Sequence, residues 1–293
     1  MADERYSPTL NKPHTSYAHW HRYLLATNLT RGKTILDIAC GEGYGSYLLA
    51  EHSSGVIGVD IDESTMIHAS KKYHRRNLNF VVGSAASVPL KSGGFDVIIC
   101  FETIEHLTDR EQKSFLLDVK RLLKRGGILI VSTPDKLEYS DKIGFKSEFH
   151  QKEFTLKEFR NFLRKYFKNV TFLGQRIYPA SSIWNMNEPA GTCFEYALKY
   201  SEVGGFSPTD MSARRPLYLI AMCCNQKIRG ASSSVCIDVS NRMVLDLLNR
   251  LKNKEEIIQG LLASPTWKIG KIVTAPLRWG RNITKKFLSV FSW

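Results

Sequence analysis

After Glu256 the chain contains no aspartate or glutamate, although it runs on to Trp293. The shortage of acid is general: 28 acidic side chains are set against 41 basic ones in 293 residues, a formal net charge of +13. Such a balance favours anionic partners, namely a membrane surface, a phosphorylated glycan or nucleic acid. No Cys-x-x-Cys pair occurs among Cys40, Cys100, Cys193, Cys223, Cys224 and Cys236, and several of them lie inside apolar, strand-like runs. That argues against a zinc or disulfide framework and for packed, reduced thiols. No apolar run approaches the roughly eighteen residues a membrane-spanning helix needs. The start, Met-Ala-Asp-Glu-Arg-Tyr, lacks the apolar core of a secretion signal. A cytoplasmic protein is expected.

What is present centres on Ile35-Leu-Asp-Ile-Ala-Cys-Gly-Glu-Gly-Tyr-Gly-Ser46. It reads as a buried strand that stops at a glycine turn and passes into a helix. Gly41, Gly43 and Gly45 fall at alternate positions, where the lack of a Cβ permits a tight turn and lets a ligand approach the main chain. The helix beyond would aim its N-terminal N–H groups at that ligand. Asp37, just before the turn, is placed to meet a positively charged amino group. Asp60 ends the next apolar run, Gly55-Val-Ile-Gly-Val-Asp60, at the offset where an acid accepts hydrogen bonds from ribose hydroxyls.

Strands and helices then alternate. Strands are predicted over Lys33–Ile38, Gly55–Asp60, Asn79–Val82, Phe95–Phe101, Ile128–Thr133 and Asn169–Gly174. Helices are predicted over Gly43–Glu51, Glu63–Arg75, Arg110–Leu123 and Leu156–Lys165. A further helix over 16–30 carries Tyr17, Trp20, Tyr23, Leu24 and Leu25 as an apolar stripe. This rhythm implies an α/β fold, a Rossmann-like doubly wound, mostly parallel sheet. Arg215–Cys224 supplies an antiparallel last strand at the sheet edge, with Pro216 tolerated only at its start. Residues 1–15 form a polar, mobile arm before a main domain over 16–228. Residues 176–215 show no period, and 229–239 form a linker containing Gly-Ala-Ser-Ser-Ser. Over 240–263, apolar residues at Val244, Leu248, Leu251, Ile258 and Leu262 recur at spacings of three and four, interrupted by Glu255, a helical C-terminal extension suited to a short coiled coil. In 264–293, Lys268, Lys271, Arg278, Arg281, Lys285 and Lys286 interleave with Trp267, Trp279, Phe287, Phe291 and Trp293. Cations for anionic lipid and indoles for the headgroup layer are the parts of an interfacial segment.

Taken together these stretches resemble the class I S-adenosylmethionine (SAM)-dependent methyltransferases of the type 11 kind. Leu36-Asp-Ile-Ala-Cys-Gly-Glu-Gly-Tyr-Gly45 resembles the first motif of that family. Val88-Pro-Leu with Phe95-Asp-Val, and Leu122-Leu-Lys-Arg-Gly-Gly-Ile-Leu-Ile-Val-Ser-Thr-Pro134, resemble later ones. The resemblance runs from about residue 17 to 225. It implies SAM as cofactor, held by Asp37, Ala39, Gly41, Gly43, Gly45, Asp60 and Ile61, with Tyr17 and Arg22 toward the methionine carboxylate. Ser84 and Ala85 stand where the family usually has an acid near the adenine, and Phe101 and Glu102 would lie beside the methyl group.

Phe101-Glu-Thr-Ile-Glu-His-Leu107 is the expected reaction centre. If the segment is helical, Glu102 shares a face with Glu105 or His106. Two carboxylates and an imidazole this close repel unless a proton or cation intervenes. Oxygen ligands with an imidazole suit Mg²⁺, Mn²⁺ or Zn²⁺. Similar E-x-x-E-H clusters occur in metal-dependent ubiquinone-pathway O-methyltransferases and in small-RNA 2′-O-methyltransferases, which add a later histidine. His150 could fill that place here, giving Glu102, Glu105, His106 and His150 as metal ligands. Without a metal, His106 or His150 is the natural general base.

Ala39-Cys-Gly-Glu-Gly-Tyr-Gly-Ser46, Phe101-Glu-Thr-Ile-Glu-His-Leu107, Phe149-His-x-x-Glu-Phe154 and Gly174-Gln-Arg176 also resemble methyltransferases of bacterial O-antigen and surface-glycan biosynthesis. That implies O-methylation of a sugar hydroxyl or terminal phosphate on a lipid-linked glycan, at the inner face of the cytoplasmic membrane. The 240–263 helix would join the enzyme to itself or to a glycosyltransferase. Alternatives are a small-RNA 2′-O-methyltransferase, disfavoured because no RNA-binding module is visible, a quinone-precursor O-methyltransferase, and a non-catalytic SAM-binding scaffold.

Overall fold

The computed structural model describes residues 13–144, 147–182, 195–202, 205–226, 233–240, 242–267 and 269. The chain divides into two compact units, Met1–Cys236 and Ile237–Trp293. The proposed arm over 1–15 (except its last residues), Cys193, much of the 176–215 insertion and nearly all of the basic 264–293 tail lie outside the described residues.

The first unit is built on a seven-stranded sheet. Its strands are β1 (Thr34–Ile38), β2 (Gly55–Asp60), β3 (Leu78–Val82), β4 (Phe95–Cys100), β5 (Leu123–Pro134), β6 (Asn169–Gln175) and β9 (Tyr218–Cys224), in the spatial order β3-β2-β1-β4-β5-β9-β6. The first five run parallel, and β9 pairs antiparallel with both β5 and β6. The order reverses between β1 and β4, so a crevice opens beyond their carboxyl ends, where ligands of such sheets bind.

Consecutive apolar residues build the strands because both faces are covered. In β4, Ile98 and Cys100 join the cluster under α4 (Asp109–Leu122) and α6 (Leu156–Leu163), which includes Phe115, Val119, Phe159 and Leu163. Val97 and Ile99 join the opposite cluster, with Tyr23, Ala26 and Leu29 of α1 (Pro13–Thr30) and Leu49 of α2 (Tyr44–Leu49). Both α4 and α6 begin with a complete capping box, Thr108 with Glu111 and Thr155 with Glu158. Each pair satisfies two otherwise orphaned N–H groups, which fixes where the helix starts. The helix α3 (Glu63–Lys72) starts at Asp62, whose side chain accepts from the Thr65 N–H.

Four expectations are corrected. The last strand is not at the edge: β9 lies inside the sheet, and β6 forms the border. Six of the seven residues of β9 are buried, whereas β6 is mostly half-buried. The unbroken run Leu219-Ile-Ala-Met-Cys-Cys224 suits a position flanked on both sides. The insertion is not without order, since β7 (Ala197–Ser201) and β8 (Gly205–Thr209) pair as an antiparallel hairpin. The stripe on α1 is also different. Its buried face is Ala18, Arg22, Tyr23 and Ala26, while Trp20 and Leu24 are exposed. Finally, Glu102 is not helical: its φ is +49°, and only Ile104–His106 form a 3-10 turn.

Among the described residues the first unit also holds the short α5 (Lys136–Tyr139). In the second unit α7 spans Arg242–Ala263, with Leu248, Leu251, Ile258 and Leu262 exposed. No helix among the described residues is long and apolar enough to cross a membrane. Cys40, Cys100, Cys223 and Cys224 are buried, and these and Cys236 are free thiols.

Candidate active site at the carboxyl ends of β1 and β4

Leaving β1, the chain makes a tight turn in which Ala39 and Gly41 both have φ +55° and Gly43 has φ +82°. The Gly41 N–H donates to Asp60 Oδ2 at 3.0 Å, the Asp62 N–H donates to Asp60 Oδ1 at 3.1 Å, and the Cys40 N–H donates to the Val59 carbonyl at 3.0 Å. Asp60 therefore ties the turn to the end of β2. The three glycines serve different ends. A Cβ on Gly45 would lie 2.1 Å from the Tyr23 ring, and one on Gly43 would lie 2.6 Å from the Phe80 ring. A Cβ on Gly41 would meet nothing within 4 Å. Only Gly41 borders open space; the other two are required by the packing of the chain on itself. The following helix, α2, has six residues.

Asp37 is buried beneath the turn. It accepts from Ser46 Oγ at 2.6 Å and from the Tyr23 hydroxyl at 3.2 Å. Burial raises its carboxyl to about 7, against the lowering effect of those two bonds. In this structure Asp37 thus anchors α1 and α2 to β1 rather than lying exposed to a ligand. Tyr23 in turn packs edge-on against Phe101, with ring centroids 5.1 Å apart. Around the crevice, Ile61 is exposed beyond Asp60. Ser84 Oγ accepts from the Ala86 N–H at 3.2 Å, so its hydroxyl shapes a local turn, and Ala85 packs against the main core. Tyr17 donates its hydroxyl to the Cys236 carbonyl.

Glu102 follows β4 with the second left-handed non-glycine backbone among the described residues; the first is Ala39, in the turn that leaves the neighbouring β1. Strained backbone of this kind collects at functional sites. Its Oε1 accepts from Ser132 Oγ of β5 at 2.5 Å and lies 3.6 Å from Arg22 Nη1. Arg22 is itself buried: Nη1 donates to Gln175 Oε1 at 2.8 Å, the guanidinium lies 4.9 Å from the Tyr218 ring centroid, and Nε has no partner in the structure. Arg22 thus reaches β6 and β9 as well as Glu102.

Glu105 is fully buried and accepts from Thr133 Oγ1 at 3.1 Å. Burial, then the charge of Glu102, pushes its carboxyl well above the ordinary range. One donor atom each of Glu105, His106 and His150 lies within 4.8 Å of the others. The structure therefore brings together three of the four expected ligands across 45 residues of sequence. Glu102 is not in that group, being engaged by Ser132. His106 Nδ1 lies 3.1 Å from the Phe149 carbonyl, and the two imidazoles meet edge-to-face at 5.0 Å. The loop carrying His150 is fixed by Gln151 and Lys152 N–H groups donating to the Glu105 carbonyl at 2.8 and 3.0 Å.

Ser132, Thr133, Gln175, Tyr218 and Glu153 were given no role at the site by sequence reasoning, although Glu153 stands in Phe149-His-x-x-Glu-Phe154 and Gln175 in Gly174-Gln-Arg176. Ser132 and Thr133 stand inside the recognised strand-five signature, so their place at a strand end was an available signal. Gln175 and Tyr218 reach Arg22 only through the β6–β9–β5 order, which no local pattern encodes.

Residues 36–131 match the family model described as a methyltransferase domain. Over 109 residues the chain is 39% identical to a Mycolicibacterium smegmatis protein whose name is "probable S-adenosylmethionine-dependent methyltransferase", covering 37% of this chain and 41% of that one. It is 32% identical over 115 residues to a ubiquinone biosynthesis O-methyltransferase of Coxiella burnetii, covering 38% and 48%. The matched part spans less than half the length of these curated relatives. A chain in the complex between the Haloferax volcanii Trm112 methyltransferase activator and a methyltransferase superposes with a TM-score of 0.50 at 16% identity, covering 74% of this chain and 94% of that one. The sheet, with its antiparallel β9 and flanking helices, is the Rossmann-like methyltransferase fold.

Proposed function

We propose that this chain is a SAM-dependent O-methyltransferase whose cofactor lies against the Gly41 turn and whose reacting groups are Glu105, His106 and His150. The observation that carries it is Gly41: a left-handed, side-chain-free position pinned to Asp60, bordering open space at the strand-order reversal, within the segment that matches a methyltransferase domain. A bound SAM would rest on this turn, with Asp60 toward the ribose and Ile61, Ser84 and Ala85 toward the base. Bound there, it supplies an electrophilic methyl on a sulfonium, and a divalent cation, where held, acidifies the acceptor hydroxyl.

The donor set of one carboxylate and two imidazoles fits Mn²⁺ or Zn²⁺ better than Mg²⁺, which prefers oxygen. The engagement of each histidine through Nδ1 supports this, since metal-ligating histidines commonly donate their second nitrogen to a carbonyl or carboxylate. The work of the chain itself is positional and protolytic. Tyr23, Asp37 and Ser46 hold the turn against α1 and α2. Ser132 holds Glu102, and Glu102 holds the Arg22 side chain across the crevice floor. Where no cation is held, His106 or His150 takes the proton that the acceptor hydroxyl gives up.

We extend the proposal to a sugar hydroxyl or terminal phosphate of a lipid-linked surface glycan, on the motif resemblance and the net charge of +13. The Coxiella relative favours one second reading, a quinone-precursor acceptor. Methyl incorporation from labelled SAM into lipid-linked glycan, with and without chelator, tests both. Label in the glycan that vanishes on chelation is the expected result. Undiminished label after exhaustive chelation would remove the metal. SAM binding with label only in a lipid-soluble phenol would move the acceptor to the quinone class.

A further inference from the structure

The sequence gives Glu153 no role, yet it makes the shortest contact of the cluster. His150 Nδ1 lies 2.6 Å from Glu153 Oε1, and the same oxygen accepts from Ser140 Oγ at 2.7 Å. The two side chains are 6% and 10% exposed. A carboxylate is an acceptor, so the proton between the two groups belongs on Nδ1 when the imidazole is neutral, and Nε2 is then the basic nitrogen. We propose that Glu153, backed by Ser140, is a positioning residue that locks His150 in the Nδ1–H tautomer, so that Nε2 is the nitrogen His150 offers to Glu105 and His106.

The surroundings are built for such a lock. Phe154, next in the chain, is buried and stacks against Phe159 and Phe162 of α6 at 5.2 and 5.5 Å. Its carbonyl accepts from the Lys136 N–H at 3.0 Å, and Asp135 and Phe154 form a parallel bridge. Ser140 follows α5 directly, and Tyr139 on that helix lies over the His150 ring at 5.9 Å. The partners of the imidazole are thus held by the core from two sides. His106 is treated alike, its Nδ1 facing the Phe149 carbonyl. Two rings pinned through the same nitrogen offer the same nitrogen to their common neighbour. A loop-bracing role alone would not need a carboxylate aimed at a ring nitrogen.

The functional consequence rests on the methyltransferase reading; the tautomer does not. Long-range ¹H–¹⁵N correlation of the full-length, ligand-free protein with ¹⁵N-histidine, recorded at about pH 8.5 where an ordinary imidazole is neutral, reads it directly, with His150→Gln supplying the assignment. Nδ1–H is expected for His150 in the wild type, with a shift toward Nε2–H in Glu153→Leu. Ser140→Ala should keep Nδ1–H. A wild-type His150 protonated on Nε2 overturns the proposal without any variant, as does a folded Glu153→Leu with an unchanged ring. In the methylation assay Glu153→Leu should lose tenfold or more in kcat with KM for SAM unchanged. An Nδ1–H ring in a wild type that binds no SAM would leave the lock standing and sink the enzyme reading.

Discussion

Gly41 and Gly45 stand four residues apart in one turn, and a methyl group would do different things to them. At Gly45 it would enter the Tyr23 ring, which is already fixed to Asp37 and wedged against Phe101. Gly45→Ala should therefore lower stability by about 1–3 kcal/mol, the range for overpacking a core. At Gly41 there is no clash but φ is +55°, so Gly41→Ala should cost about 1–2 kcal/mol of backbone strain. It should also weaken SAM binding out of proportion to its stability loss. Urea unfolding and calorimetric SAM titration of both variants check this. Equal losses of SAM affinity per unit of stability would refute the assignment of Gly41 as the ligand-facing position. Asp37 carries a pH signature. Its carboxyl sits at about 7 when folded because of burial, above the ordinary 3.8, so the folded chain binds the proton more tightly. Stability from this group is complete below about pH 4 and declines as pH rises through 7. Asp37→Asn, whose amide oxygen can still accept from Ser46 or Tyr23, should flatten that decline. Unfolding midpoints between pH 4 and 8 that fall as steeply in the variant would contradict it.

At the scale of elements, the loop 147–154 joins the helical layer to Glu105, whose carbonyl accepts from Gln151 and Lys152. Thr155 and Phe154 secure it differently: Thr155 caps α6, and Phe154 fills the core beneath. Thr155→Ala should cost about 1 kcal/mol, the usual worth of an N-cap. Phe154→Ala should cost about 3–5 kcal/mol. Because the Phe154 ring packs this loop onto Phe159 and Phe162, and so holds in place the carbonyl that accepts from Lys136 at the start of α5, loss of the ring should lower methyl transfer in the fraction that stays folded. Thr155→Ala should leave kcat within about twofold, because an N-cap contributes stability through the helix start alone. Chemical denaturation and steady-state kinetics separate the two. A Phe154→Ala enzyme with wild-type kcat would mean that His150 does not depend on this loop.

For the molecule as a whole, the surplus of base is concentrated where acid is missing, after Glu256. Each lysine or arginine near an anionic bilayer contributes about 1 kcal/mol. Replacing Lys268, Lys271, Arg278 and Arg281 by glutamate should abolish sedimentation with anionic vesicles while leaving SAM affinity unchanged. The expectation assigns lipid binding to the tail and cofactor binding to the first unit. Variant protein that still pellets with such vesicles, at physiological salt, would reject the tail as the lipid-binding element.

Most of the sheet and the glycine turn were legible in the sequence, because both are local: apolar runs bounded by glycine and acid fix the strands of β1 to β5, and Gly41, Asp60 and Glu102 fall at strand ends by their position alone. The starts predicted for α4 and α6, Arg110 and Leu156, fall within one residue of the observed ones, although the Thr-x-x-Glu boxes that fix them were not read. What only the tertiary structure decided is who stands beside whom. Local pattern gave no means of placing β9 inside β6, since β9 pairs with β6 from Tyr218 opposite Gln175 to Cys224 opposite Asn169, and with β5 from Tyr218 opposite Pro134 to Cys223 opposite Leu129, segments far apart in the chain. It did not separate Gly41 from Gly43 and Gly45, because that depends on where the rings of Tyr23 and Phe80 come to rest. Nor did it pick Glu153, three residues from His150, from among the many carboxylates of the chain. A hydrogen bond to a ring nitrogen is a fact of three dimensions, and here it is set by how the loop 147–154 lies against α5 and α6.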